Sequence, residues 1–387
     1  MKKLILFKSL SVIGLLVLIA GCCSKGGKEN RPLILSIEPR EAGTLFLSEI
    51  FDSVELIPLP SVMGRPEKLE THGDRVYLSA GNTLYIYDSL QAIPHEIDRR
   101  GHGHGEYTQI TDYNVDEDGS FWINDLQSRK MFHYDVEGHF LSQIDHSLLS
   151  YNFLKREDAV YINSGYLYNP EHPWQVSIWD ESSKSLVSGY FKQSQGQSWL
   201  SVLEKTNFAC FCDTVSYSHS FSNDIYWLCE GSAVPRVHIS FGKSDMPEGY
   251  AGRFHELRPF IESLTQSDYA WRIDGYREDE DYLFFGYSFK ESHPYVVYRK
   301  STGSIRHFSS FVDDLLFPGV KRNTDYSSFP IGKSGTDVFF VMSVWDFKDN
   351  MERSMCAGSP DPGLKEQWHS LDELPEGADY VLLKYRF

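Results

Sequence analysis

Apolar and polar positions alternate in short runs along most of this chain, and Gly, Asn and Asp stand between the runs. A period of two is the pattern of a half-buried β-strand, and turn residues at the breaks make hairpins. RVYLSAGNTLYIYD (75–88) predicts two strands about Gly81-Asn82. SFWINDLQSRKMFHYD (120–135) and AVYINSGYLYNPEHPWQVSIWD (159–180) have the same form. Segments 224–241, 281–300 and DVFFVMSVWDF (337–347) predict further hairpins. Tyr134-Asp135 falls 47 residues after Tyr87-Asp88, and Trp179-Asp180 a further 45 residues on. A repeat of about 40–50 residues made of four strands is the signature of a propeller blade, whereas a β-sandwich has no such period. Counting units predicts an all-β, six-bladed β-propeller with four-stranded antiparallel blades over residues 32–387.

A propeller must close its ring. Pairing SVELIPLP (53–60) with YVLLKYRF (380–387) would do so and would hide two sheet edges. LILSIEP (33–39) reads as a further strand or a strap. One stretch breaks the strand period. In residues 249–270, Phe254, Leu257, Ile261 and Leu264 recur at helical spacing, which predicts a helical insertion between blades four and five. Pro259 would kink or divide it. Residues 348–378 are polar and contain Pro and Gly, and read as a long loop in the last blade.

The first residues stand apart. MKKLILFKSLSVIGLLVLIAGCC has lysines, an apolar run shorter than a spanning helix needs, then small residues and Cys. Ile19-Ala20-Gly21-Cys22 resembles a bacterial lipobox, in which the Cys thiol takes a lipid. Residues 1–21 are then a lipoprotein signal peptide, Cys22 the lipidation site, and 22–31 a polar tether that anchors the chain to a membrane without spanning it.

Charge narrows the partners. The chain carries −17, which argues against nucleic acid, whose binding needs a basic footprint. Of six cysteines, setting Cys22 aside leaves an odd number, so no disulfide framework is expected. Cys210 and Cys212 read as buried small side chains, or one of them pairs with Cys229; Cys356 stays unassigned.

Three stretches carry a family resemblance: IFDSVELIPLP before the first blade, the loop GHGHGEY (101–107), and YNVDEDGSFWINDLQSRKMFHYDVEGHFL. Together they resemble the six-bladed β-propeller lipoproteins of Gram-negative anaerobes, which are NHL-like in blade pattern. That family typically shows G-x-G-P-G-E-Y at the loop, and His104 stands here where it usually has Pro. The resemblance implies a fold and an envelope location (outer membrane, periplasmic or cell-surface facing), and it implies no activity.

The loop RRGHGHGEY (99–107) is the first candidate site. It should run from the outer strand of blade one to the inner strand of blade two, toward the central channel. Arg100, His102, His104, Glu106 and Tyr107 are the candidate ligand-binding residues. His102, His104 and Glu106 could also converge on a divalent metal, with His133 and His139 nearby, although no cofactor is expected. Phosphate cradling lacks the helix it needs. IGKSGT (331–336) has Ser327 where a P-loop needs its first Gly. NVDEDG (114–119) has Gln127 where a calcium loop needs Glu, and reads as a hairpin turn. Neither G-x-S-x-G nor H-E-x-x-H occurs. Trp122, Trp179, Trp227, Trp271 and Trp345 recur about once per blade, as inter-blade packing or as platforms for sugar rings.

The sequence thus supports a monomeric, envelope-anchored binding or protein-interaction module, with a glycan or an envelope protein as partner. The alternative is a glycan- or lactone-directed lyase or hydrolase using the channel mouth.

Overall fold

A computed structural model describes residues 31–59, 62–90, 93–200, 207–211, 214–219, 221–358, 362–369 and 378–387. The expected leader, Cys22 as the expected lipidation site, most of the expected tether and Cys212 lie outside the described residues.

The six predicted blades form. Each is a four-stranded antiparallel meander, and the first strands of successive blades lie beside one another around the axis. These innermost strands are Pro66–His72, Asp112–Val115, Asn152–Arg156, Phe208–Phe211, Ala270–Glu278 and Gly332–Ser334 in blades one to six. Ring closure follows the expected pairing. Ser53–Leu59 runs antiparallel to Tyr380–Arg386, with Leu383 opposite Leu56, and is the outer strand of blade six.

Residues 33–39 do more than strap the ring. Leu33–Ser36 pairs in parallel with Ser232–Ser240, the outer strand of blade four. Gly43–Phe46 does the same on Ser304–Val312 of blade five. Both cover edges that would otherwise present unpaired backbone groups.

The helical insertion between blades four and five is present as α1 (Leu257–Gln266). Pro259 neither kinks nor divides it. As the third helical residue it lies in the first turn, where an N–H has no intrahelical partner to lose. Phe260 and Leu264 bury its apolar face beside Trp271.

The last blade departs further from expectation. DVFFVMSVWDF is not a hairpin: the strand Asp337–Ser343 runs directly into α2 (Val344–Ala357). Ser343 caps that helix, its hydroxyl oxygen accepting from the Asp346 N–H at 3.0 Å. α3 (Pro362–His369) follows, so the polar insertion expected as a loop contains two helices. Its buried faces are aromatic: Phe347 and Trp368 pack on Leu316, Phe317 and the blade-six strands.

The core is a set of inter-blade seams. Five are each filled by one continuous apolar cluster: one–two, two–three, three–four, four–five and six–one. At five–six the apolar residues fall into two clusters. One belongs to blade five and the N-terminal strap, the other to blade six and its helices.

Candidate functional site

The Gly-His loop sits where the chain crosses from blade one to blade two. Its ends are tied by Gly101 N–H to the Tyr107 carbonyl (2.9 Å) and Tyr107 N–H to the Arg99 carbonyl (3.1 Å). Tyr107 is fully buried, and its hydroxyl lies 2.9 Å from the Asn82 carbonyl and 3.1 Å from that of Ile97. Burial pushes its pKa up to about 12, so it stays protonated and donating. The Glu106 carboxylate folds back to accept the Gly103 N–H at 2.8 Å. It lies so close to Gly101 that a Cβ there would fall 1.8 Å from it. Gly105 has φ +70 and rests against the Phe140 ring, a position that suits only glycine.

The expected candidates therefore sit together but do different things. Arg100 forks onto Asp98, at 2.8 and 2.6 Å. His104 packs edge-on against Phe140, with ring centroids 4.7 Å apart. His102 is exposed. The crossing was expected to head toward the central channel; Phe140, against which its tip packs, belongs to the outermost strand of blade two. The tip thus rests at the outer side of the blade, drawn there by Gly105 and the Tyr134 hydroxyl on its carbonyl at 3.0 Å. His139 pairs with Asp135 and His133 with Ser120. Among the described residues no group of three His, Cys, Asp or Glu side chains could hold a metal.

Around the axis, polar side chains of one inner strand hold the backbone of the next. Glu70 accepts the Val115 N–H at 2.9 Å, Asp112 that of Phe153 at 3.1 Å, and Asn114 that of Lys155 at 3.0 Å. Lys68 bridges Glu70 and Asp112 at 2.8 and 2.9 Å. Burial alone would lower its pKa; the two carboxylates outweigh that and raise it.

The divided five–six seam holds a cavity of about 150 Å³. Its walls are Phe284, Val297 and Phe308 from blade five, Phe340, Val341 and Leu383 from blade six, and Leu45 from the strap. Arg277, Arg322 and Lys333 line it, as do Glu278, Asp279 and Asp313. Asp313 accepts from the Tyr385 hydroxyl at 2.5 Å and the Leu316 N–H at 3.1 Å, and burial pushes its pKa up to about 6. Sequence reasoning missed this site because its apolar wall residues come from six separate strands, and each reads as ordinary core.

Beside it, blade five gathers a polar cluster. His293 Nε2 lies 3.2 Å from Asp274, the His293 and Tyr326 rings are 4.0 Å apart, and Tyr326 shares a 2.5 Å hydrogen bond with Ser288. Arg272 lies over the Tyr326 ring. His293 Nδ1 is buried with no partner among the described residues.

Four of the five recurrent tryptophans belong to the blades. Trp122 is buried and stacked on His133, Trp179 packs in the two–three seam, Trp227 carries Arg236 and Trp271 backs onto α1. Trp345 lies on α2 instead and is 74% exposed. Cys210 and Cys356 are free thiols, and Cys210 is exposed on its inner strand rather than buried.

Blade number, strand order and ring closure make this chain a six-bladed β-propeller. It belongs to the family described as a domain of unknown function, DUF4934, whose model matches residues 36–386. Among curated proteins there is no match. In the solved structures, the chain is similar to a Bacteroides fragilis protein described as exported. Identity is 19%, coverage 92% of this chain and 99% of that one, and the TM-score 0.72. A DUF4221 member from Bacteroides vulgatus aligns over 87% of this chain and 97% of its own, at 9% identity and a TM-score of 0.46. Virginiamycin B lyase from Staphylococcus aureus aligns over 74% and 81%, at 11% identity and 0.41. Of these three, the first speaks to the fold.

Proposed function

We propose that this chain is an exported, envelope-anchored propeller lipoprotein that acts as a non-catalytic ligand-binding module, with the five–six cleft as its binding site. One observation carries the reading: among the described residues the five–six seam divides into two apolar clusters with a cavity between them, whereas each of the other seams holds one continuous cluster. Protein interiors rarely keep such space, and a concave apolar site with a few convergent polar groups is the usual form of a ligand pocket. The Gly101–Tyr107 loop, with His102 and His104 exposed, remains a candidate contact surface for a glycan or an envelope protein.

Export and anchoring rest on the leader pattern and on Cys22. Among the described residues no helix is long and apolar enough to cross a membrane. Growth with a labelled fatty acid tests the anchor: label should enter the wild-type chain and be absent from Cys22→Ser.

The cleft is tested with benzene as a probe, read by thermal unfolding and ligand NMR. Saturable binding should raise the unfolding temperature, since a ligand that binds only the folded state stabilises it. Val341→Phe, which fills the cavity, should abolish the effect. No binding of benzene, together with a Val341→Phe variant as stable as wild type, would remove the cleft as a site.

A lyase or hydrolase acting on a glycan or lactone is the second reading, favoured by the Asp274–His293–Tyr326–Ser288 cluster. A phenol and an imidazole in contact can pass a proton. Turnover of a lactone or glycan lost in both Tyr326→Phe and His293→Gln would favour it over binding alone.

A further inference from the structure

We infer that the five–six cleft takes a compact apolar acid: one ring-sized apolar group bearing a carboxylate that Arg277 receives. This rests on the cleft being the binding site. Size comes first. The cavity is about 150 Å³, and an apolar cavity of about that volume accepts benzene. Phe284, Phe308 and Phe340 offer ring faces and edges to an aromatic group.

Charge selects the head group. Three cations and three carboxylates line the cleft, but their partners are unevenly shared. Glu278, with a side chain 0% exposed, is already matched by Arg236 at 2.9 Å and Lys300 at 2.7 Å, neither of which lines the cavity. Asp279 holds Lys333. Asp313 is occupied by the Tyr385 hydroxyl and the Leu316 N–H. Arg322 lies over the Phe311 ring.

Arg277 is left over. Among the described residues its Nη2 reaches only the Pro330 carbonyl, at 3.4 Å, and its Nε is buried without a partner. Burial lowers its pKa, and the carboxylate that counters this, Glu70 of blade one, makes no ion pair with it. A half-buried guanidinium without an anion is costly, and its planar fork matches a carboxylate in two parallel hydrogen bonds. An acid seated in the cleft would supply that anion while its apolar body fills the space beside it.

The experiment titrates the full chain with phenylacetate, its neutral isostere phenylacetamide, benzene and acetate, by calorimetry and ligand-observed NMR. Phenylacetate should bind at least tenfold tighter than phenylacetamide, and acetate more weakly than either. Arg277→Met should bring phenylacetate down to the level of the amide and leave the amide unchanged; Arg277→Lys should restore part of the preference. Near-UV circular dichroism checks that each variant folds. If one does not, the wild-type ratio of acid to amide decides alone. Equal binding of acid and amide by the wild type overturns the inference and leaves the cleft standing. Failure of both phenyl compounds and of benzene removes the cleft itself.

Discussion

The seam between blades one and two and the seam between blades five and six are built from the same strand pattern, yet one is sealed and the other open. In the first, the connecting loop rests its tip on the outer strand and sends Tyr107 into the seam. Tyr107 is driven into a cluster with Tyr113, Phe121 and Tyr134, and the Tyr107 and Tyr113 hydroxyls meet backbone carbonyls. In the second, the connection after Val312 turns outward. Leu316, Phe317 and Val320 pack with Phe347 and Trp368 of the blade-six insertion. Trp368 donates to the Leu316 carbonyl at 3.2 Å, and Ser354 to that of Pro318 at 2.8 Å. The side chains that could have filled the seam serve the helices instead. A propeller thus acquires a cavity without losing a strand, by redirecting one connection.

The largest expected effect lies in the sealed seam. Tyr107→Ala should cost about 3–5 kcal/mol in denaturant unfolding, as large aromatic truncations do. Tyr107→Phe should cost about 1–3 kcal/mol, the penalty for leaving buried carbonyls unpaired. A loss below about 1 kcal/mol for Tyr107→Ala would mean that the loop does not seal the seam.

Next is a pH effect confined to the open seam. Asp313, pushed up to about 6, binds its proton more tightly folded than unfolded. Its stabilising contribution is present below about pH 4 and lost as pH rises through 6. Asp313→Asn should therefore fare better relative to wild type at pH 7.5 than at pH 4.5, by about 2 kcal/mol at 1.36 kcal/mol per unit. His146, in the connection from blade two to blade three, has the opposite sign: burial lowers its pKa to about 4, so its contribution is lost as pH falls from 6.5 through 4. The same pH series on His146→Gln should flatten that acid limb, and an unchanged limb would count against the burial of its neutral form.

A matched pair compares the seams directly. Val115→Ile adds a methylene to the filled seam and should destabilise by about 1–3 kcal/mol. Val297→Ile adds one to the cavity wall and should be neutral or stabilising by about 0.5–1 kcal/mol. Equal costs would erase the distinction. Smallest of all, His102→Ala should change stability by less than about 0.5 kcal/mol, as exposed sites do.

Much of the fold was legible because blades repeat. Tyr87-Asp88, Tyr134-Asp135 and Trp179-Asp180 each fall at the end of a third strand, so the same local demand recurs at a fixed interval. The insertion in blade six was misread because VFFVMSVW is apolar enough to pass for a hairpin. The spacing Ser343-x-x-Asp346, a helix-start signal, was the clue to α2. The Glu-Tyr of the loop carried its recognisable pattern, and the structure gives both residues internal work. The cavity could not be read, since an absence of packing between Val297 and Val341 belongs to no residue.

Closing the ring also fixes the order of events as the chain is made. Glu55 finds its ion-pair partner in Lys384, 329 residues further on. Blades one to five can each form soon after their own strands emerge, but the outer strand of blade six must be held in waiting. The parallel strands at 33–36 and 43–46, docked on blades four and five, place that waiting strand beside the position where its partner will arrive. Loop closure over so long a separation is slow when left to diffusion, and prior docking turns it into a short local search.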